Sequence, residues 1–361
     1  MSIVTFGEIM GRMAAPGFLR FGQTMPGAID VTFAGAEANV ASSLSTFGAS
    51  TQFVTALPTH SIADACVASL RTRGVGTDHI VRRDGRLGLY FLETGANQRP
   101  SQVIYDRTDT SIGLATPDEY NWQSIFSDAK WLHISGITPA ISKQAAETSL
   151  AALTAAKAAN VTVSCDLNFR KKLWKWDNST APRELAEKTM RGLLPMVDVV
   201  IANEEDCHDV LSIQAGNTDV HTGQLSIERY PEVASKVASE FPNISRVAIT
   251  LRESISASHN NWGAMLFDVA SNSAHFSPMT DGKYNPYEIK NIVDRVGGGD
   301  SFAAGLIFAL NTPELAAPET AIQFATAASC LAHSIVGDFN FSSRSEVEAL
   351  MKGSGSGRVI R

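Results

Sequence analysis

A run of three glycines ends in a carboxylate: Asp294-Arg295-Val296-Gly297-Gly298-Gly299-Asp300-Ser301-Phe302-Ala303-Ala304-Gly305. Phe302, Leu306 and Leu310 recur at helical spacing, with Ala303 and Ile307 beside them, so the glycines lead into an amphipathic helix. Glycine lets backbone N–H groups approach a ligand with no Cβ in the way. A helix start adds unpaired donors and a partial positive charge. Together they suit a phosphate. Asp300, where the run meets the helix, is either a plain N-cap or a general base beside that cradle. The stretch alone leaves the two readings even.

Polar residues also cluster where strand-like runs end. Asp166-Leu167-Asn168-Phe169-Arg170 closes one run, Asn203-Glu204-Glu205-Asp206 a second, and Thr250-Leu251-Arg252-Glu253-Ser254 a third. Ligands in an open parallel sheet collect at the carboxyl ends of its strands, so a shared site at one edge is expected. The acids at 203–206 offer hard oxygen ligands to Mg²⁺, which needs only one or two carboxylates, some through water. A helix N-terminus rich in acids is the competing reading.

The elements that must position these residues follow from periodicity. Strand-like runs at 3–6, 49–56, 131–135, 161–166, 197–202 and 247–251 alternate with helical segments such as 142–159 and 231–241. That alternation predicts an α/β fold, a mostly parallel sheet with helices on both faces. Segments 262–269 and 273–276 read as an antiparallel pair near the edge. Helices at 301–310, 318–335 and about 345–351 close the chain. The stretch 81–107 differs: 87–93 and 102–106 are short, aromatic and β-prone, with Gly95, Asn97 and Pro100 between them. It reads as an inserted hairpin that joins pieces of the 10–34 stretch in a small sheet off the main domain. One domain over 1–352 is expected, with lid strands drawn from about 10–34 and 81–110 and a disordered tail at 353–361.

The net charge is −7 and no Lys/Arg run stands out, which argues against nucleic acid or an anionic membrane as the main partner. The scattered cysteines Cys66, Cys165, Cys207 and Cys330 sit in apolar segments and read as buried reduced thiols. No basic n-region with an apolar h-region opens the chain, and no apolar run is long enough to span a membrane, so a cytoplasmic enzyme is expected.

The pattern Asp-x-x-Gly-x-Gly-Asp-x-Phe-x-x-Gly, met by Asp294, Gly297, Gly299, Asp300, Phe302 and Gly305, resembles the signature of the ribokinase-like (phosphofructokinase-B type) carbohydrate kinases. The resemblance runs from Gly7-Glu8 to about Phe341. It implies a three-layer domain with a small β-sheet lid. It implies that Asp300 takes the proton from a sugar hydroxyl while Gly297, Gly298 and Gly299 hold the transferring phosphoryl. Arg295 stands where a small hydroxyl residue is usual, a position that bears on the family's cation and nucleotide contacts. Ala34-Gly35-Ala36-Glu37-Ala38-Asn39-Val40-Ala41 resembles the family's substrate loop, with Gly35 and Asn39 left to meet sugar hydroxyls; on spacing alone it is a helix-opening turn. Asn203 and Asp206 take the place of its Asn-x-x-Glu metal motif, one methylene short. The Thr250–Ser254 stretch takes the place of its nucleotide loop without the two glycines. The implied nucleotide contacts are Asn168, Asn203, Thr250, Arg252, Ser254, Gly297 and Gly299.

Within the family, Tyr105-Asp106-Arg107 with Tyr90 on the partner strand, Asp166–Arg170 followed by Leu173-Trp174, and Thr250–Ser254 resemble the kinases of 2-keto-3-deoxygluconate. An arginine fork fits a carboxylate, and tyrosine hydroxyls add directed hydrogen bonds. The plainer reading is that Tyr90 and Tyr105 pack across a hairpin and that Arg107 and Arg170 are surface charges. The strand-end position of Arg170 also suits nucleotide phosphates. The resemblance thus implies transfer from ATP, with Mg²⁺ and a monovalent cation such as K⁺, to a primary hydroxyl of a keto-sugar acid bound by Gly35, Asn39, Tyr90, Tyr105, Arg107 and Arg170. It also implies a homodimer paired through the lid. A kinase of a neutral sugar such as fructose or ribose, and a catalytically silent sugar-binding regulator, are the alternatives.

Overall fold

The computed structural model describes residues 1–203, 205–214 and 229–353. Glu204 and, past Gly353, the rest of the expected tail at 353–361 lie outside the described residues.

A nine-stranded sheet forms the middle layer. Six strands pair in parallel in the order Thr51–Val54, Ser2–Phe6, Ala129–Ser135, Thr162–Asp166, Val199–Asn203 and Arg246–Ser256. His259–Asp268 then pairs antiparallel with the last of these, and Ser273–Ser277 and Tyr287–Lys290 pair antiparallel with it. Apolar runs without alternation suit strands covered on both faces. Val199 and Ile201 pack on one side with the helices Ala36–Thr46, Gly298–Leu310 and Pro318–Ala332. Val200 and Ala202 pack on the other side with Lys143–Ala158, Pro182–Leu193 and Tyr230–Glu240. The layers are those of the expected α/β fold.

The small sheet has the order Asp30–Ala34, Met10–Ala14, Gly88–Glu93, Gln102–Asp106. Its inner face carries Met10, Tyr90, Leu92, Val103 and Tyr105 over the carboxyl end of the main sheet. A single row crosses its outer face, since Met13 lies opposite Val31 and Phe91, and Phe91 opposite Ile104. Val31 and Ile104 are more than half exposed, at 57% and 58%.

Two expectations need correction. The run 49–56 is two strands, Thr51–Val54 and Ala56–Leu57, because the second leaves the main sheet to pair with Val81–Arg82. The stretch Thr250–Ser254 is not a loop. Arg246–Ser256 is one long strand paired through Ser254 with His259–Asp268. Without the family's glycines nothing breaks the ladder there.

Candidate active site

A cleft of about 350 Å³ lies between the lid and the carboxyl end of the sheet. It gathers Gly35, Asn39, Tyr90, Tyr105, Arg107, Asn168, Arg170, Asn203, Asp206, Thr250, Arg252, Gly297, Gly298, Gly299 and Asp300. Ser254, further along its strand and exposed, does not line it.

The floor is the glycine run. Gly297 is the N-cap of the helix Gly298–Leu310 and has φ +84°, a left-handed conformation in which a side chain is strained. Nothing lies within 4 Å of where a Cβ on Gly299 would sit, so the helix start is open to the cleft. This open, cationic helix end fits an incoming phosphoryl group. Asp300 is the third residue of the helix and caps nothing, which removes its N-cap reading. Instead its carboxylate faces Asn39, whose amide donates to Asp300 Oδ2 at 2.6 Å. The amide oxygen of Asn39 accepts from the Gly35 N–H at 3.2 Å, so the loop at Gly35 orients the amide that meets Asp300. Gly35 comes so near the next loop that a Cβ there would lie 1.9 Å from the Glu8 carbonyl oxygen. Burial pushes the Asp300 carboxyl up to about 7, against the Asn39 hydrogen bond, which lowers it; Asp338 and Glu37 raise it further. A carboxyl poised near neutrality suits a general base.

On the lid side, the predicted aromatic and basic residues are already engaged. Tyr90 and Tyr105 sit opposite one another, with ring centroids 6.5 Å apart, and the Arg107 guanidinium lies 5.5 Å from the Tyr105 ring. Arg107 is buried, not a surface charge. Its Nε donates to Glu8 Oε2 at 2.6 Å and its Nη2 pairs with the same carboxylate. The Tyr90 hydroxyl donates to Asp338 Oδ1 at 2.8 Å, so its polar end is committed to the protein. Glu8 and Asp338 were missed by the sequence reading. Glu8 follows the first strand in the quoted Gly7-Glu8 pair, which was a usable signal; Asp338 sits in a turn with no motif around it.

The opposite side is more open. Arg170 spends one donor on its neighbour's carbonyl and is exposed to the cleft. Arg252 makes no hydrogen bond or ion pair among the described residues. Trp262 and His333 pack with their rings tilted and their centroids 5.1 Å apart on the cleft wall, and neither was singled out from sequence. Arg295 ties this wall together, with Nη2 donating to the Ser256 carbonyl and to Asn260 Oδ1, each at 3.1 Å.

Asn203 and Asp206 cap each other's turn. The Asn203 amide oxygen accepts from the N–H groups of Glu205 and Asp206, and Asp206 accepts from those of Asn203 and Phe169. Among the described residues no cluster of three His, Cys, Asp or Glu is placed to hold a metal ion. This donor set fits a Mg²⁺ that keeps its waters and meets protein through them, and does not fit an all-protein cage.

The chain matches the pfkB family carbohydrate kinase model over residues 2–251. It is 32% identical to a 2-dehydro-3-deoxygalactonokinase of Haloferax volcanii over 98% of both chains. It is 25% identical to a 2-dehydro-3-deoxygluconokinase of Bacillus subtilis over 85% of this chain and 82% of that one. Its structure resembles that of a 2-dehydro-3-deoxygluconokinase from Thermotoga maritima with a TM-score of 0.88, 44% identity, and coverage of 98% of this chain and 100% of that one. No helix among the described residues is long and apolar enough to cross a membrane. The family match over most of the chain and a likeness to named kinases that spans it lead to one assignment: this protein is an ATP-dependent carbohydrate kinase of the pfkB family.

Proposed function

We propose that the acceptor is a six-carbon 2-keto-3-deoxy sugar acid, 2-keto-3-deoxygluconate, phosphorylated on its terminal primary hydroxyl. The observation that carries this reading is the buried Arg107 on the lid wall of the cleft. A guanidinium has five donors. Glu8 accepts from Nε, while Nη2 lies in ion-pair reach of the same carboxylate without a hydrogen-bond partner, so the terminal nitrogens keep donors for a substrate carboxylate. A kinase of a neutral sugar has no use for that group. The names of the relatives from Thermotoga maritima and Bacillus subtilis support the same substrate class.

In this reading Gly35 and Asn39 meet the sugar hydroxyls, and the Tyr90 and Tyr105 rings wall the sugar in. Asp300 accepts the proton of the attacking hydroxyl. The Gly297, Gly298 and Gly299 amides hold the phosphoryl group in flight, which is how positioning and electrostatics replace covalent chemistry in this transfer. Arg170, Asn168, Asn203, Thr250 and Arg252 take the nucleotide side. Ser254, outside the cleft, is withdrawn from that set. Mg²⁺ on the polyphosphate would neutralise its charge, held through water near Asn203 and Asp206. The lid shields the transfer from water, which would otherwise take the phosphoryl itself. The outer row Val31, Met13, Phe91 and Ile104 supports pairing of two lids in a homodimer.

The name of the Haloferax volcanii relative favours the C4 epimer, so the substrate test carries both acids. ADP release is measured with 2-keto-3-deoxygluconate, 2-keto-3-deoxygalactonate, fructose and ribose. The proposal expects kcat/KM for the first to exceed that of either neutral sugar by about 100-fold, roughly what one charge-assisted contact and its desolvated site provide. A preference for fructose or ribose sinks the acid assignment and leaves the kinase standing.

A further inference from the structure

Two buried carboxylates flank the glycine run. Asp294 precedes it, and Asp338 lies against it from a turn near the end of the chain. The Asp338 carbonyl oxygen stands 2.2 Å from where a Cβ on Gly297 would sit, so backbone meets backbone at the N-cap of the catalytic helix. Asp294 accepts from the N–H of Val296 at 3.1 Å through Oδ1 and from that of Gly337 at 3.2 Å through Oδ2. The two aspartates thus fix the turn that aims the Gly297–Gly299 amides. Two like charges in one dry space repel and call for a cation.

Arg12 supplies it. Nη1 pairs with Asp338 and Nη2 with Asp294, and all three side chains are almost fully buried. Burial opposes the guanidinium charge, but Asp338 and Asp294 outweigh it and keep Arg12 charged. Arg12 belongs to the lid strand Met10–Ala14 and lies opposite Tyr90, whose hydroxyl shares Asp338. It does not line the cleft. One residue therefore joins the lid sheet to both flanks of the anion site.

We propose that Arg12 is a positioning residue for phosphoryl transfer: a tethered cation that neutralises Asp294 and Asp338 together and so holds the Gly297–Gly299 amides in place. The glycine amides are set only when the lid is seated, because the charge that sets them is carried by the lid. With Arg12 in place the pair needs no diffusible monovalent cation. The planar fork matters as much as the charge, since a lysine ammonium reaches two separate carboxylates poorly.

The inference rests on the reading of the glycine run as the phosphoryl site, so Asp300→Asn is assayed alongside. Arg12→Ala should lower kcat by about 100-fold, the scale of losing one preorganised oxyanion donor. The KM for ATP should stay within about threefold, because the ground-state nucleotide contacts are elsewhere. Added guanidinium chloride should restore at least about fivefold of the lost rate at concentrations below those that unfold the protein, and tetramethylammonium chloride at equal ionic strength should not. Wild type should run within about twofold in K⁺, Na⁺ or tetramethylammonium salts, within ordinary screening effects. Circular dichroism checks folding, and Arg12→Lys, which keeps a positive charge, gives the same reading if Arg12→Ala does not fold: its kcat should still fall at least about tenfold, by loss of the fork. An unchanged kcat in the folded variants, a loss confined to the sugar KM, absence of rescue in folded Arg12→Ala, or a K⁺ requirement in wild type overturns the inference. If Asp300→Asn is fully active, the site reading itself falls instead.

Discussion

The two walls of the cleft are built on opposite plans. On the lid wall nearly every charged or hydroxylic group has a protein partner: Arg107 holds Glu8, Tyr90 holds Asp338, and Asn39 on the floor beside it holds Asp300. On the opposite wall Arg170 and Arg252 face the cleft with few or no protein partners. In the proposed reading the open wall takes the highly charged polyphosphate, and exposed cations cost little to leave in water. In the same reading the lid wall takes a small sugar that must be held in one pose for in-line attack, which paired groups favour. Each substitution below should therefore behave differently according to the wall it touches.

The largest effect belongs to the floor that both walls serve. Asp300→Asn keeps the shape and removes the proton acceptor; kcat should fall on the order of 10²–10⁴-fold with ATP binding retained. In wild type, activity should rise with pH through about 7, where the carboxyl loses its proton. The residual activity of Asp300→Asn should lack that limb. Stability should move the other way. A carboxyl whose value rises from 3.8 to about 7 on folding binds more protons folded than unfolded in that window, so stability falls as pH rises through it. Asp300→Asn should then melt a few degrees higher than wild type at pH 8, read by calorimetry. A drop in kcat below about tenfold would reduce Asp300 to a structural residue.

The lid wall comes next. Losing a hydrogen bond to a charged group is worth about 1.5–3 kcal/mol, or roughly 10- to 150-fold. Arg107→Ala should cut kcat/KM for the keto-sugar acid by that much and hardly change a neutral ketose. The structure adds a complication: the substitution also strands the buried Glu8 carboxylate, a penalty unrelated to substrate. A cycle with Glu8→Gln separates the two. If the loss disappears in the double variant, Arg107 serves Glu8 and not the sugar.

The smallest effect is expected on the open wall. Arg252→Ala should raise the KM for ATP by about three- to tenfold and leave kcat within about twofold, as expected for an exposed charge contact made equally in ground and transition states. A large fall in kcat would mean that this wall is as preorganised as the other.

The contrast also explains what sequence alone could reach. That the glycine run, Asp300 and the strand ends would meet at one cleft was legible because their placement depends on backbone conformation and local spacing, which one stretch of chain contains. The alternation of strands and helices gave the layers for the same reason. Arg12 and Asp338 were not legible as site residues, and Glu8 was marked only by its place after the first strand. Their meaning arises from pairs separated by 99 to 326 positions, and no local pattern marks a carboxylate that will be buried against a distant arginine. Thr250–Ser254 was read as a loop from the family's pattern, yet the absence of its glycines pointed to the strand that forms. Tyr90 lines the cleft, but its hydroxyl is spoken for by Asp338, 248 positions away, which no local pattern marks.

The long tether between Arg12 and its partners also bears on how the chain is made. Arg12 leaves the ribosome early, while Asp338 lies 326 positions later. At about 5–20 residues per second, that interval is on the order of 15–65 s. During it the N-terminal lid strands hold a charged side chain without its two carboxylate partners. Closing so long a loop is slow, and incomplete chains with unpaired strands are prone to associate wrongly. The same contact that ties the lid to the catalytic helix therefore makes the lid among the last parts to be secured. A chain stopped short of Asp338 would retain most of the sheet and lack the anchor of its own cover.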